Sequence, residues 1–329
     1  MIFYHIQAHD QFEYLRTLIS YIFHPDNFYL ISIDAAVSAE EIAALDELRC
    51  SNISISCDAT VTWGGRSRVN SLLLGLDSFV ASASHLRYFI NISGTDFPLK
   101  TQAEIFDVLA SFDAATPIIW TNSWVCAPEY FVENATPPNS YKRIRLRPDI
   151  EFMVDRRIAH LIENREQSAM LKPGRRAGVM AFEVVGERLQ IVRPLLDAEY
   201  RARLALFKES GYRVGRAWHV FSREFCRIVL DSALFYSVAE VMSGTLLPAE
   251  SVFQTVLPML RGSIVHHNGN FRFEDGAPLR VDDGSLAELE RTEAFFARKI
   301  ALDNCRSLLE WAGRRFSQSR EAFAVCGMH

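Results

Sequence analysis

A single carboxylate, Glu250, lies within the otherwise apolar and hydroxylic stretch LLPAESVFQTVL, residues 246–257. Pro248 precedes it, and a helical pattern follows over residues 251–257. A negative charge is stabilised at a helix N-terminus, so helix capping is one interpretation of this acid. The other is a general base that removes the proton of a nucleophilic hydroxyl group. The stretch alone leaves both interpretations open.

Two adjacent cations, Arg298 and Lys299, follow the apolar residues of EAFFARKI, residues 293–300. Neighbouring residues of a helix point about 100° apart, so both can reach one ligand only near a helix start or in a turn. An ordinary basic helix edge is the simpler interpretation. In the functional interpretation the pair holds a diphosphate, with paired donors from the arginine and a point charge from the lysine.

Motifs of several other chemistries are absent from the sequence. No GxGxxG follows the first strand pattern, and neither GxxxxGK[ST] nor GxSxG occurs. The histidines of HPDN and HHNG, residues 24–27 and 266–269, lack metal-ligand spacing and are expected to be structural. No two aspartates form the D-x-D pair with which many nucleotide-sugar transferases bind a divalent metal. If the protein handles a nucleotide sugar, we therefore expect cationic side chains to neutralise the leaving group.

The elements that must position these residues alternate between strand and helix over the first third of the chain. Strand patterns in IFYHIQ, FYLISID, NISIS and LRYFINIS are separated by helical patterns. At the start of the first helix, Asp10 and Glu13 are spaced as in a capping box. The alternation predicts an α/β fold with a mostly parallel, Rossmann-like sheet flanked by helices.

Ligands of such sheets bind beyond the carboxyl ends of the strands. Asp34 ends the second strand pattern, and Ser93 and Asp96 end or follow the fourth. Further along, GVMAFEVV and WHVFSREF are predicted to be strands, SLAELERTEAFF to be a helix, and the last fifty residues to be helical. Clustered arginine and lysine with proline in PPNSYKRIRLRPD and KPGRRAG predict surface loops.

The composition limits the class of protein. The chain has 329 residues, of which 49% are hydrophobic, enough for a large core. A formal charge of −5 argues against a protein built to coat nucleic acid or acidic lipid. Six cysteines without a CxxC pair indicate reduced thiols, and the N-terminus lacks the basic start of a signal peptide. No apolar run approaches the roughly 18 residues that span a bilayer. We therefore expect a soluble, cytoplasmic protein.

Six segments, in order along the chain, resemble one known family. They are IQAHDQFEYLRTLISYIFHPDNFYLISID, VTWGGRSRVNSLLLGL, YFINISGTDFPLKT, WHVFSREFCRIVL, LLPAESVFQTVL and FFARKI. The family is that of the core-2/I-branching β-1,6-N-acetylglucosaminyltransferases and peptide O-xylosyltransferases. The resemblance implies a GT-A-type fold and an inverting, metal-independent transfer from a UDP-sugar. Because the chain shows neither the anchor nor the paired cysteines of the animal relatives, it looks like a bacterial, cytosolic member.

The resemblance also implies roles for individual residues. Glu250 would be the general base, and Arg298 with Lys299 would hold the UDP diphosphate as it leaves. The positions implied at the donor site are Asp34, Trp63, Gly64, Gly65, Ser93, Asp96, Trp218 and Arg280. Two of these have plainer interpretations: Asp96 as a turn or N-cap residue before a helix over 102–110, and Trp63 as a packing residue that also borders the site. Arg280, upstream of the Arg-Lys pair, could add a second phosphate contact.

One departure puts the donor sugar in doubt. The family often has a polar residue directly before the tryptophan of its Gly-Ser-x-Trp run, whereas this chain has Ala217 before Trp218. The expected donor is therefore left as UDP-xylose or UDP-N-acetylglucosamine. Two alternatives stay open: a catalytically silent module that binds nucleotide sugars, and a transferase with a non-UDP donor.

The remaining expectations concern organisation and partners. We predict one GT-A-like domain over 1–329, with a nucleotide-binding half at 1–115, a donor-sugar and acceptor half at 116–300 and a helical tail at 301–329. The acceptor is expected to be a glycan, free or lipid-linked, with no cofactor, metal or nucleic acid involved. Two basic clusters could contact an anionic acceptor or a membrane surface, although solvated surface is the simpler interpretation. They comprise Lys142, Arg143, Arg145 and Arg147, and then Trp311, Arg314 and Arg315.

Overall fold

Strands and helices alternate through the first third of the chain, as the sequence predicts. The computed structural model describes residues 1–35, 37–59, 61, 66–113, 115–125, 146–153, 181–185, 188–194, 213–243, 248–260, 262, 264–273, 286–298 and 306–326. Its strands are β1 (Ile2–Ala8), β2 (Phe28–Asp34), β3 (Ile53–Ala59), β4 (Tyr88–Ser93), β5 (Phe97–Pro98), β6 (Ile118–Trp120), β7 (Ser123–Val125), β8 (Leu146–Met153), β9 (Ala181–Val185), β10 (Arg188–Pro194), β11 (Arg213–Gly215), β12 (Val220–Ser222), β13 (Val265–His267), β14 (Arg272–Phe273) and β15 (Phe296–Ala297).

The helices of the described residues follow the same order. They are α1 (Phe12–Ile22), α2 (Ala39–Ala44), α3 (Ser67–Ala81), α4 (Gln102–Ala110), α5 (Arg223–Leu230), α6 (Ala233–Ser243), α7 (Val252–Val256), α8 (Leu286–Arg291), α9 (Arg306–Arg315) and α10 (Ser317–Val325). Short 3-10 turns lie at Asp46–Leu48, Pro248–Glu250 and Leu257–Met259. None of the described helices combines the length and the apolar composition that a membrane crossing requires.

A seven-stranded sheet organises the described residues, in the order β13-β6-β12-β4-β1-β2-β3. The four strands β3, β2, β1 and β4 run parallel, β12 runs antiparallel to both of its neighbours, and β13 is parallel to β6. The prediction of an α/β fold with a mostly parallel sheet is therefore confirmed. Two small sheets, β14-β15-β5 and β11-β7, lie outside it, and β8-β10-β9 form another.

Helices cover both faces of the central sheet, because successive side chains of a strand point to opposite faces. In β1, Tyr4 and Ile6 join a core made with α1, α4, α9 and α10, whereas Phe3 joins a core made with α3, α5, α6 and α7. Each such aliphatic or aromatic side chain, when fully buried, contributes about 1.5–3 kcal/mol to the free energy of unfolding. The sheet is thus fixed on both sides.

Three local predictions were wrong at the ends of elements. The N-cap of α1 is Gln11, in the left-handed region at φ 53°, and no side chain caps this helix, so the capping box of Asp10 and Glu13 does not form. The strand predicted in WHVFSREF ends at Ser222, whose side chain accepts the N–H of Phe225 and starts α5. The helix predicted over 285–296 ends at Arg291 and is followed by the strand β15.

Candidate active site

Several of the predicted site residues lie at the carboxyl edge of the central sheet. Ser93 ends β4 and Asp34 ends β2, which lies beyond β1. Because β12 runs antiparallel to β4, Trp218, which comes shortly before β12, lies at that same end of β4. The topology therefore gathers residues that are far apart in the sequence.

A buried ion cluster surrounds Asp96, just beyond β4. The Asp96 carboxylate is completely buried and lies 3.4 Å from the Nε atoms of both Arg272 and Arg298. The small sheet places these three residues side by side, because Asp96 directly precedes β5, Arg272 begins β14 and Arg298 follows β15. Arg272 also donates a 2.8 Å hydrogen bond to the carbonyl oxygen of Asn91.

The plainer interpretation of Asp96 is partly correct. Its backbone N–H closes a turn on the carbonyl oxygen of Ser93, at 3.1 Å. It is not the N-cap of α4, however, because Thr101 and Glu104 form a complete capping box there. Its carboxylate instead holds two guanidinium groups, which no spacing in the sequence indicated.

Trp218 forms the centre of a second group of contacts. It is 3% exposed, and the guanidinium carbons of Arg298 and Arg68 lie 4.0 Å and 4.6 Å from its ring centroid. Cation–π contacts of this kind stabilise a guanidinium group in a partly buried position. Arg68, in the first turn of α3, was not among the predicted site residues, since a cation in an amphipathic helix pattern is usually solvated.

Glu250 lies in the 3-10 turn Pro248–Glu250 and is half-buried. This turn packs against α3. Burial, followed by the neighbouring Arg298, lowers the pKa of Arg68 to about 10, while the charges of Glu250 and Asp96 act in the opposite direction. The Glu250 carboxylate therefore lies within electrostatic reach of Arg68. The N-cap residue of the next helix, α7, is Ser251 rather than Glu250.

A buried polar network ties α7 to the sheet directly after Glu250. Nε2 of Gln254 donates to Oγ1 of Thr121 at 3.1 Å and to the carbonyl oxygen of Arg216 at 2.9 Å. Oγ1 of Thr121 is also hydrogen-bonded to Nδ1 of His219, at 2.9 Å. Burial, with smaller contributions from Arg68 and Arg272, lowers the pKa of His219 to about 3, so this imidazole is neutral.

The other predicted donor-site residues are less closely connected to this group. The carboxylate of Asp34 accepts the N–H of Val61 at 3.2 Å, in the connection between β3 and α3. The hydroxyl of Ser93 pairs with that of Thr95 at 2.8 Å. Five predicted positions lie outside the described residues: Trp63, Gly64, Gly65, Arg280 and Lys299.

The C-terminal basic cluster is partly engaged within the fold. Trp311 is buried and donates its indole N–H to Glu290, and Arg315 forms an ion pair with Glu104 at 2.7 Å. Trp311 is therefore part of the packed core and not of the solvated surface that the simpler interpretation expects. In the other basic cluster, Arg147 lies in β8, so the surface loop predicted over PPNSYKRIRLRPD is wrong for its last four residues, because β8 pairs with β10. Lys142, Arg143 and Arg145 lie outside the described residues.

Among the described residues, the side chains of the candidate site form neither a metal site nor part of the cleft at the other edge of the sheet. No group of three histidine, cysteine or acidic side chains there is arranged to hold a metal ion. A cleft of about 640 Å³ opens at the opposite, amino-terminal edge of the parallel strands, next to Phe3, Phe28 and Leu30, and none of the predicted site residues lines it.

Comparison with known proteins identifies the class of the first part of the chain. Residues 2–123 match the model of the Core-2/I-Branching enzyme family. This segment spans β1 to the start of β7, and for these residues the match confirms the resemblance that the motifs indicated. Glu250 and Arg298 lie beyond the matched residues.

The curated relatives are transferases of N-acetylglucosamine. A human N-acetyllactosaminide β-1,6-N-acetylglucosaminyl-transferase is 35% identical over 112 residues, which are 33% of this chain and 28% of the relative. A human β-1,3-galactosyl-O-glycosyl-glycoprotein β-1,6-N-acetylglucosaminyltransferase is 33% identical over 107 residues, 32% and 25% of the two chains. The β-1,3-galactosyl-O-glycosyl-glycoprotein β-1,6-N-acetylglucosaminyltransferase 3 of Ovis aries is 21% identical over 271 residues, which are 81% of this chain and 49% of the relative. The chain thus spans between a quarter and a half of the length of these relatives.

Solved structures show weaker similarity. Mouse xyloside xylosyltransferase 1, in its apo form, superimposes with a TM-score of 0.34 at 9% identity, over 91% of this chain and 98% of that one. S. aureus TarS in complex with UDP-GlcNAc gives a TM-score of 0.28 at 14% identity, over 43% and 38% of the two chains. Scores this low carry no argument about the site.

Proposed function

We propose that the protein is a glycosyltransferase that moves a sugar from a UDP-sugar donor to a hydroxyl group of a glycan. The observation that carries this proposal is the cluster of Asp96, Arg298, Arg68 and Trp218 beside Glu250, at the ligand-binding edge of the sheet. The cluster belongs to a chain whose residues 2–123 match the model of the Core-2/I-Branching enzyme family. Fixed cations beside a half-buried carboxylate suit a reaction with an anionic leaving group.

In the proposed reaction Glu250 acts as the general base. Its carboxylate takes the proton of the acceptor hydroxyl as that oxygen bonds to the anomeric carbon. The bond from this carbon to the diphosphate oxygen breaks at the same time, which inverts the anomeric configuration and releases UDP. A sugar hydroxyl is a poor nucleophile, so such a base contributes about 10²- to 10⁴-fold to the rate.

The leaving group gains negative charge, which Arg298 and, by the family resemblance, Lys299 would stabilise. Asp96 and Trp218 hold the Arg298 guanidinium in place, and its side chain is still 19% exposed. A donor fixed in advance stabilises developing charge without reorganising during the reaction. We propose on this basis that the transfer proceeds without a divalent metal.

The donor sugar and acceptor are proposed from the relatives and the motifs. The relatives' names point to N-acetylglucosamine as donor sugar and to galactose-containing glycans as acceptors, and LLPAESVFQTVL points to xylose. Gly215, two residues before Ala217, is a glycine for a structural reason, because a Cβ atom there would lie 1.7 Å from the carbonyl oxygen of Asn122. A free or lipid-linked glycan remains the proposed acceptor, and a cytoplasmic location remains a prediction.

The test is a donor screen in the presence of EDTA. UDP-N-acetylglucosamine, UDP-xylose, UDP-glucose and UDP-galactose are each incubated with N-acetyllactosamine or a lipid-linked glycan, and UDP release is measured. We expect release with one donor, and a loss of about 10²- to 10⁴-fold in kcat for Glu250→Gln with unchanged UDP affinity. Glu240→Gln, an exposed acid paired with Arg66 at 2.8 Å, is the matched control.

Each contrary outcome identifies which part of the proposal fails. Full activity of Glu250→Gln would show that Glu250 is not the base. UDP binding without transfer to any acceptor would favour the silent binding module. Dependence on added Mg²⁺ or Mn²⁺ would contradict the metal-independent mechanism, and stabilisation by GDP but not UDP would overturn the donor assignment.

A further inference from the structure

Arg68 is a cation without a carboxylate ion-pair partner among the residues that the structure describes. Its guanidinium lies over the ring of Trp218. Two residues earlier in the sequence, the exposed Arg66 is paired with Glu240 at 2.8 Å. The two arginines differ in surroundings although they flank the start of the same helix.

A second cation lies close to Arg68. Arg298 contacts the same indole ring, at 4.0 Å from its centroid, and Asp96 is already shared between Arg298 and Arg272. Counted over the described site residues, Arg68, Arg272 and Arg298 outnumber Asp96 and Glu250 by one positive charge. Two guanidinium groups at one ring repel each other, and a bound anion offsets this repulsion.

The start of α3 adds to the positive potential at this position. The helix is 15 residues long, and its N-terminal end follows β3 at the carboxyl edge of the sheet. Helix N-termini attract anions, and acidic residues commonly occupy the first turn. The first turn of α3 has no acidic residue. Arg68 is placed there instead, where its charge opposes the helix dipole.

We propose that Arg68 binds one phosphate group of the nucleoside diphosphate while Arg298 binds the other, and that Trp218 sets the separation of the two guanidinium groups. This inference rests on the proposed function, since it names a further contact of the same donor. It makes Arg68 the residue that distinguishes diphosphates from monophosphates. With a pKa of about 10, Arg68 carries its charge at neutral pH.

The test compares the affinity of the full chain for UDP and UMP by calorimetry, with inorganic pyrophosphate as a competitor. We expect Arg68→Gln to lower UDP affinity at least about tenfold, which corresponds to about 1.4 kcal/mol. UMP affinity should fall much less, so the UDP-to-UMP ratio falls, and competition by pyrophosphate should weaken. Arg66→Gln is the matched control and should keep the wild-type ratio. Arg68→Lys should recover part of the ratio, because it keeps the charge but loses the paired donors.

The contrary results separate this inference from the proposed function. An unchanged ratio in Arg68→Gln, or an equal loss for UDP and UMP, would show that Arg68 is not a phosphate ligand, whatever the enzyme does. If the wild type binds no nucleoside diphosphate of any base, the proposed function and the inference both fail. If it binds GDP instead of UDP, only the donor assignment is wrong, and GDP with GMP then decides the role of Arg68.

Discussion

One arginine lies at one end of the short strand β12 and two lie at the other, and the two groups are held in different ways. At one end Arg223 is buried, and its guanidinium donates to the carbonyl oxygens of Leu86, Val80 and Ala83 at 2.8–3.0 Å. At the other end, Arg298 and Arg68 contact the ring of Trp218. Nε of Arg298 donates no hydrogen bond to any described residue.

The contrast separates an arginine that stabilises the fold from arginines available to a ligand. A guanidinium group has five N–H donors, and burying them without acceptors is costly. Arg223 fills its donors with the chain that precedes β4. Arg298 is held by an ion pair and a ring, which fix the position of the group but leave donors for another acceptor. Incomplete hydrogen bonding is thus the property that distinguishes Arg298 from Arg223.

The largest effect is expected from removing the structural arginine. Arg223→Ala would leave several carbonyl oxygens buried without a donor, and we expect it to lower the free energy of unfolding by about 3–5 kcal/mol. Urea denaturation measures this change. Arg227→Ala, on the same helix, removes an exposed arginine paired with Glu224 and should cost under about 1 kcal/mol. Equal losses in the two variants would contradict the structural role of Arg223.

The second prediction has the opposite pattern, a large loss of activity with little loss of stability. Arg298→Gln should lower kcat/KM by about 10²- to 10³-fold, as the loss of a preorganised donor does in other transition states. Its effect on stability should be small, because Asp96 keeps its ion pair with Arg272. Activity assays and urea denaturation of one preparation test both statements. Arg291→Gln, an exposed arginine that ends α8, is the control.

A loss of stability in Arg298→Gln as large as that in Arg223→Ala would remove the distinction between the two groups. Normal activity with normal stability would remove Arg298 from the site.

Much of the fold was predictable because long elements carry periodic signals. The bounds of β2 agree with the predicted segment FYLISID, and α4 was expected over the residues that it occupies. The ends of elements were less predictable. Ser222 starts a helix inside an apparent strand, and Gln11 occupies a left-handed conformation that no sequence pattern announced.

Part of the candidate site could be read from the sequence, for a physical reason. Family motifs indicated Asp96, Trp218 and Arg298, which the structure brings together. Arg272 was missed because β14 and β15 have two residues each, too few for a periodic signal. Arg68 was missed because its spacing fits an ordinary helix. Arg272 and Arg68 reach this cluster through contacts between elements that are far apart in the sequence, and local sequence patterns do not show such contacts.

The smallest predicted effect concerns two buried histidines near the site arginines. Burial, followed by the charge of Arg68, lowers the pKa of His5 to about 3, and His219 has a pKa of about 3 for the same main reason. Arg223 does not contribute to the lowered pKa of either histidine. Both imidazoles are therefore neutral in the folded state, whereas an unfolded histidine titrates near 6.5.

The sign of the resulting pH dependence follows from proton binding. Between pH 6.5 and 3 the unfolded chain binds more protons than the folded chain at these two positions. The contribution of the two histidines to the free energy of unfolding is therefore fully present above pH 6.5 and is lost as the pH is lowered. At pH 5 each histidine should account for a loss of about 2 kcal/mol relative to pH 7. His219→Asn should remove one of these contributions and make stability less steeply dependent on pH, whatever its effect at pH 7. His85 is exposed, and His85→Gln is the control that should keep the wild-type pH dependence of stability. An unchanged pH dependence in His219→Asn would show that burial and the nearby arginines do not keep the His219 imidazole neutral.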